Sequence, residues 1–206
     1  MKFELWLAFI ATYSVISLIP GPSVFMVTSQ ALTLGLKAAI LCIVGDIVGG
    51  FFLIALSLFG VGAILAASAE LFQIVKWAGV LYMAYLGYQQ IKDAKHDTAL
   101  EFSEKKRNIR SASIRVGFLV GILNPKAIIF YVAFLSQFLD SESEPLMQFV
   151  ILAATSTIVV GVILTGYALL ASKARAAFQS ARARKGFGYT GGGFLLGGSL
   201  LMATTR

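Results

Sequence analysis

Two ionisable side chains stand inside long apolar runs: Asp46 in ILCIVGDIVGGFF, and Lys126 directly after an asparagine-proline pair in VGILNPKAIIFYV. Asp46 lies nine residues beyond Lys37, and Lys126 eleven beyond Arg115, depths of about 13 and about 16 Å at helical rise. A charge that deep in a bilayer costs roughly 2.5–3.5 kcal/mol on insertion scales, so it turns toward the protein interior or a wet cavity. A carboxylate there can exchange a proton or bind an ammonium, and an amine can hold the counter-charge or a substrate carboxylate. Opposite charges at matching depth suggest a pair. A static ion pair that merely fixes helix packing is the competing account.

The stretch LIPGPSVF, Leu18 to Phe25, interrupts another apolar run with Pro20, Gly21 and Pro22. Each proline costs roughly 3 kcal/mol in a helix interior, so the helix is expected to break there. A break frees carbonyls at the end of the first half and N–H groups at the start of the second. At membrane depth such groups are tolerated only inside protein or beside water, where they can also hold the two ends of a small zwitterion. The N–H groups near Ser23 and Val24 favour a carboxylate, and Ser23 and Thr28 offer hydroxyls. Asn124, Pro125 and Lys126 form a second interruption further along. A kink that simply improves packing would leave the same marks.

These residues must be positioned by membrane helices. The chain has 206 residues, 58% of them hydrophobic and 13% charged, with a mean hydropathy of +0.83. Soluble domains average roughly 45–50% apolar residues. The apolar runs suit helices of about 20 residues rather than the alternating strands of a barrel. Six spans are expected, at Leu5 to Leu34, Ala38 to Ala66, Leu71 to Gln89, Val116 to Leu139, Leu146 to Ala171 and Phe187 to Thr205. Leu5 to Ile19 lacks a basic start and an A-x-A site, and reads as the first span rather than a cleaved signal peptide. Cys42, the single cysteine, reads as a small buried apolar residue.

The net charge of +7 comes from segments between spans, which argues for membrane orientation and against nucleic acid. One segment holds Lys92, Lys95, Lys105, Lys106, Arg107, Arg110 and Arg115; another holds Lys173, Arg175, Arg182, Arg184 and Lys185. Glu70, Asp140, Glu142 and Glu144 fall on the opposite side. The positive-inside rule places the basic loops in the cytoplasm and both termini outside. Lone His96 reads as part of a solvated loop. Residues 1–92 and 116–206 then form two three-helix units around a basic connection, 93–115. Three spans per unit makes the repeat inverted, with spans one and four each broken at a proline motif, as in many secondary transporters.

Small residues every fourth position (Ala38, Cys42, Asp46 and Gly50; Ala153, Thr157, Gly161 and Thr165; Gly193 and Gly197) read as packing stripes. Thr157 is the second half's candidate counterpart of Asp46. Tyr82, Tyr85 and Tyr88 read as core filling before a substrate cage. The sequence has no G-x-S-x-G, H-E-x-x-H or Walker motif, and one histidine with one cysteine builds no usual metal site. No enzymatic activity, cofactor or metal is expected, and without a nucleotide-binding unit any transport must be gradient-driven or passive.

The ordered set of Pro20-Gly21-Pro22, Gly45-Asp46, the segment GVLYMAYLG from Gly79, and Asn124-Pro125-Lys126 followed by Phe130, Phe134, Gln137 and Phe138 resembles the LysE/RhtB family of amino-acid exporters along nearly the whole chain. Ser23 stands where that family commonly has Asn or Asp. The resemblance implies a bacterial inner-membrane protein of six helices that exports amino acids or close derivatives from the cytoplasm in exchange for protons. It also implies that the two proline turns and the span-two aspartate line the central site. The expected assignment is substrate binding by Pro20, Gly21, Pro22, Ser23, Asn124, Pro125 and Lys126, and proton coupling by Asp46. The partners are a small amino acid, protons and the lipid bilayer, with a homodimer left open. A non-transporting membrane scaffold and a passive channel are the alternatives.

Overall fold

Prolines and glycines set where the helices stop. The computed structural model describes residues 1–58, 69–96, 109–140, 142–175 and 181–204. Helix α1, Phe3–Leu18, ends where Pro20 pushes Ile19 into an extended conformation, because the proline ring disfavours helical geometry in the residue before it. Helix α2, Pro22–Thr33, opens with Pro22 in its first turn, where the missing N–H would have had no partner anyway. The two axes differ by 54°. Gly35 at φ 96° then turns the chain into α3, Leu36–Leu58, and its N–H reaches back to the Gln30 carbonyl at 3.0 Å. That left-handed conformation disfavours any residue with a Cβ.

The remaining helices are α4, Ala69–His96; α5, Ile109–Ile122; α6, Pro125–Ile129; α7, Pro145–Ala174; and α8, Ala181–Thr204. Between α6 and α7 lie a π-helical turn, Phe130–Phe134, and a 3-10 turn, Leu135–Phe138. The second interruption is milder than the expected equivalence of the two breaks. It has one proline, and the Asn124 side chain accepts the Lys126 N–H and restarts the helix at once. Ile109–Ile129 therefore runs on as one span.

Three helices, Leu36–Ser57, Ile109–Ile129 and Pro145–Ala174, together with the bent α1–α2 pair, are long and apolar enough to cross a membrane. The third and sixth expected spans fall on α4 and α8, of 28 and 24 residues. Both are long enough but more polar than the others, with Glu70 and Lys76 in the first and Arg182, Arg184 and Lys185 in the second. Two boundaries differ from expectation. Arg110 and Arg115, assigned to the polar connection, belong to α5, and α8 begins at Ala181 rather than Phe187. Arginine is a good helix former whose long stem lets the charge reach an interface from a helix end. The expected end of span two at Ala66 and the His96 side chain lie outside the described residues.

Helices α3 and α5 meet backbone to backbone through two pairs of glycines. A Cβ on Gly45 would overlap the Ile114 carbonyl oxygen, one on Gly117 the Cys42 carbonyl oxygen, and one on Gly121 the Asp46 carbonyl oxygen. Such small-xxx-small faces are how membrane helices approach closely. Gly87, Gly188 and Gly192 play that part between α4 and α8, whereas Gly193 and Gly197, expected as a packing stripe, face open space. Helix α7 lies across α1, α2 and α3, and turns Ile158, Val162 and Leu170 outward, each more than 60% exposed. Apolar side chains so exposed along a span suit lipid as the solvent.

At one end of the molecule the Met1 ammonium donates to Ser143 Oγ at 2.7 Å, and Lys2 stands 3.8 Å from both Asp140 and Glu142. The N-terminus and the acidic connection thus share a side, as expected. At the other end Arg175 donates to the Thr33 carbonyl at 3.1 Å and closes α2. Two apolar clusters fill the space near these ends. One contains Phe9, Tyr13, Phe130, Phe138 and Leu152; the other contains Val27, Ala31, Cys42, Leu164 and Ala168.

Candidate functional site

Between the clusters, a chain of hydrogen bonds runs across both helix interruptions. Ser23, in the first turn of α2, donates its hydroxyl to Asp46 Oδ1 of α3 at 2.6 Å. Asn124 Nδ2 donates to that same Ser23 oxygen at 2.9 Å. Asn124 Oδ1 accepts the Lys126 N–H at 3.1 Å. The Lys126 ammonium then crosses back to the first half, donating to the carbonyls of Ile16 at 2.9 Å and Ile19 at 2.8 Å. These are carbonyls that the end of α1 leaves without helical partners. The network satisfies groups whose burial would otherwise cost several kcal/mol each in hydrocarbon.

Asp46 and Lys126, whose matching depths suggested a pair, are therefore linked through Ser23 and Asn124 rather than by direct contact. Among the described residues, ion pairs within 4.0 Å involve Lys2 with Asp140 and Glu142. The reason is the geometry of the break: Lys126 is nearer the open carbonyl end of α1, and Ser23 lies against the carboxylate. Asp46 is 4% exposed, and its Oδ2 has no hydrogen-bond donor among the described residues. Among the described residues Lys126 uses two of an ammonium's three donors.

Ser23, Asp46, Asn124 and Lys126 line a cavity of about 50 Å³, room for one or two waters at about 30 Å³ each. Pro20, Gly21, Pro22 and Pro125 are not in its wall. They shape it by stopping the helices, and Gly21 carries the Lys126 stem over its Cα, with Nζ 3.4 Å from where a Cβ would stand. Thr157 of α7 reaches the cavity as well, whereas Thr28 does not. Tyr85 and Tyr88 point outward, 53% and 60% exposed, far from the expected core role; the Tyr85 hydroxyl accepts from Gln89.

Sequence reasoning missed Tyr13, Ser17, Tyr131 and Ser156, all in the cavity wall. Tyr131 donates to the Tyr13 hydroxyl at 2.9 Å. The π-helical turn brings Phe130 and Tyr131 to the wall and frees the Tyr131 carbonyl for the Ser57 hydroxyl at 2.8 Å; such turns gather at functional sites. Tyr13 and Ser17 did leave a signal, being polar residues four apart on a mostly apolar helix and hence on one face. Tyr131 left none among its aromatic neighbours.

Among the described residues, a carboxylate with one open oxygen and an ammonium with one open donor thus face a common polar cavity inside an apolar bundle. That arrangement suits a small zwitterion. A model of the family of LysE type translocators matches residues 14–205. The chain is 31% identical over 206 residues to an uncharacterized membrane protein of Vibrio cholerae, covering all of both chains. It is 31% identical over 202 residues to a homoserine/homoserine lactone efflux protein of Salmonella typhimurium, covering 98% of this chain and 97% of that one. It is also 30% identical over 151 residues to a leucine efflux protein of Klebsiella pneumoniae, covering 70% of this chain and 68% of that one. No solved structure matches.

Proposed function

The chain belongs to the LysE type translocator family, and from that premise we propose that it exports amino acids or close derivatives from the bacterial cytoplasm across the inner membrane, in exchange for protons. The observation that carries this reading is the polar cavity that joins Asp46, Lys126 and both helix interruptions. The cargo ammonium binds Asp46 Oδ2. Its carboxylate takes the open Lys126 donor and the N–H groups of Ser23 and Val24, which precede the first hydrogen-bonded N–H of α2, that of Phe25 on the Gly21 carbonyl. The named efflux activities of the Salmonella and Klebsiella relatives support an amino-acid cargo.

Transport is by alternating access between two inverted halves. Helix pairing supports this: the α1–α2 span packs on α7 as the α5–α6 span packs on α3, while α4 meets α8 and α3 meets α7. These four pairings map onto one another when the halves are exchanged, whereas the α2–α3 contact has no comparable counterpart between α5–α6 and α7 among the described residues. Opening to either side requires one of the two apolar clusters to part while the other stays closed. Protonation of Asp46 from outside releases the ammonium and favours return to the inward state. The basic segments face the cytoplasm.

The test is efflux of labelled amino acids from proteoliposomes under an imposed pH gradient. Asp46→Asn removes a charge-assisted contact worth about 1.5–3 kcal/mol, so gradient-driven efflux should fall by about tenfold or more. Proton-coupled efflux equal to that of the parent would remove Asp46 from the mechanism.

A further inference from the structure

The broken end of α1 is already occupied by a cation. Its exposed carbonyls carry the partial negative charge of a helix C-terminus, and in a discontinuous span such carbonyls are natural ligands for a cation. Here the Lys126 ammonium takes Ile16 and Ile19, and the Tyr167 hydroxyl takes the Leu18 carbonyl at 2.9 Å. Both donors come from the second half of the chain. Ile16 brings the α1 carbonyl end to the edge of the cavity that holds Asp46, so two negative poles border it, and the first is filled from within.

We propose that Lys126 is a tethered occupant of this cation cradle and acts as a charge filter, restricting the cargo to amino acids with one ammonium and no cationic side chain. This rests on the transport reading above. Asp46 is the one acidic residue in the described cavity wall, and apart from Lys126 the rest is hydroxyl, amide and apolar. Once the cargo's α-ammonium has used Asp46 Oδ2, a second ammonium meets no anionic partner and shares a small, poorly solvated space with Lys126 Nζ. Like charges in such a setting repel strongly. A neutral side chain meets Ile47, Ile54 and Val160, which suit it.

Norleucine and lysine test this directly, because they share one carbon stem and differ in the terminal ammonium. Efflux of each is measured from proteoliposomes of the full chain, with homoserine as a further neutral cargo. The parent should export norleucine about tenfold or more faster than lysine. Lys126→Met should narrow that ratio by about tenfold as lysine gains the vacated carbonyls, and Lys126→Arg, which keeps the charge, should preserve it. Should Lys126→Met not fold, Lys126→Gln carries the same comparison through an uncharged donor that can still reach a carbonyl. Equal parental efflux of lysine and norleucine, or an unchanged ratio in the neutral variants, overturns the filter while leaving export standing. A parent that moves none of the three cargoes overturns the transport reading and the filter together.

Discussion

Ser23 sits at the centre of the polar chain because one hydroxyl can donate and accept at once. It donates to Asp46 and accepts from Asn124, so it joins α3, α2 and the second interruption through a single atom. Removing it strands a buried amide donor and weakens the hold on a buried carboxylate, a loss of about 1–3 kcal/mol. Ser23→Ala should lower the melting temperature in detergent and slow amino-acid efflux, and Ser23→Thr, which keeps the hydroxyl, should recover much of both. Melting and efflux like the parent's in Ser23→Ala would show that Asp46 and Asn124 are held by something else. Depth in the apolar run made Asp46 and Lys126 visible in the sequence, because an ionisable group there demands a reason. Nothing local distinguished Tyr131 or Ser156 from ordinary span residues, and they became wall residues through the π-helical turn and the placement of α7.

At the scale of elements, the site depends on how closely α5 approaches α3. Asp46 lies on the helix face that the α5 glycines touch, so the spacing of these two backbones sets where its carboxylate stands. Gly117→Ala would push a methyl into the Cys42 carbonyl. Overpacking of this kind costs roughly 1–3 kcal/mol, and the backbone partner cannot swing aside as a side chain would. Gly117→Ala is expected to destabilise the protein and reduce efflux together. Gly197→Ala, on a helix face with nothing within 4 Å, should be neutral or slightly stabilising, since alanine is the better helix former by about 1 kcal/mol. Thermal unfolding of both variants in detergent checks the contrast, and equal melting points would mean that the α3–α5 contact can relax.

For the whole molecule, the charges at the two ends predict how it sits in the membrane. The acidic connection gathers with the N-terminus, and Arg175 closes the opposite end. In a Cys42→Ala background, Lys2→Cys should react with an impermeant maleimide on intact cells. Lys95→Cys and Arg182→Cys, at exposed positions, should react only after permeabilisation. The reverse pattern would invert the proposed orientation, and labelling of all three on intact cells would break the inverted-repeat scheme.

Composition and hydropathy by themselves determined the all-helical membrane character, because the lack of water in hydrocarbon leaves few ways to satisfy a backbone. Proline placement likewise determined the break in the first span, since the missing donor and the ring clash act within one turn of chain. The partners of the two buried charges were a tertiary matter. Sequence depth set both near mid-membrane and suggested that they would meet, but which groups lie within 3 Å depends on helix rotation and crossing. The α3–α5 glycine contact, the π-helical turn and the bend at Gly21 jointly direct Asp46 to Ser23 and Lys126 to the carbonyls of α1.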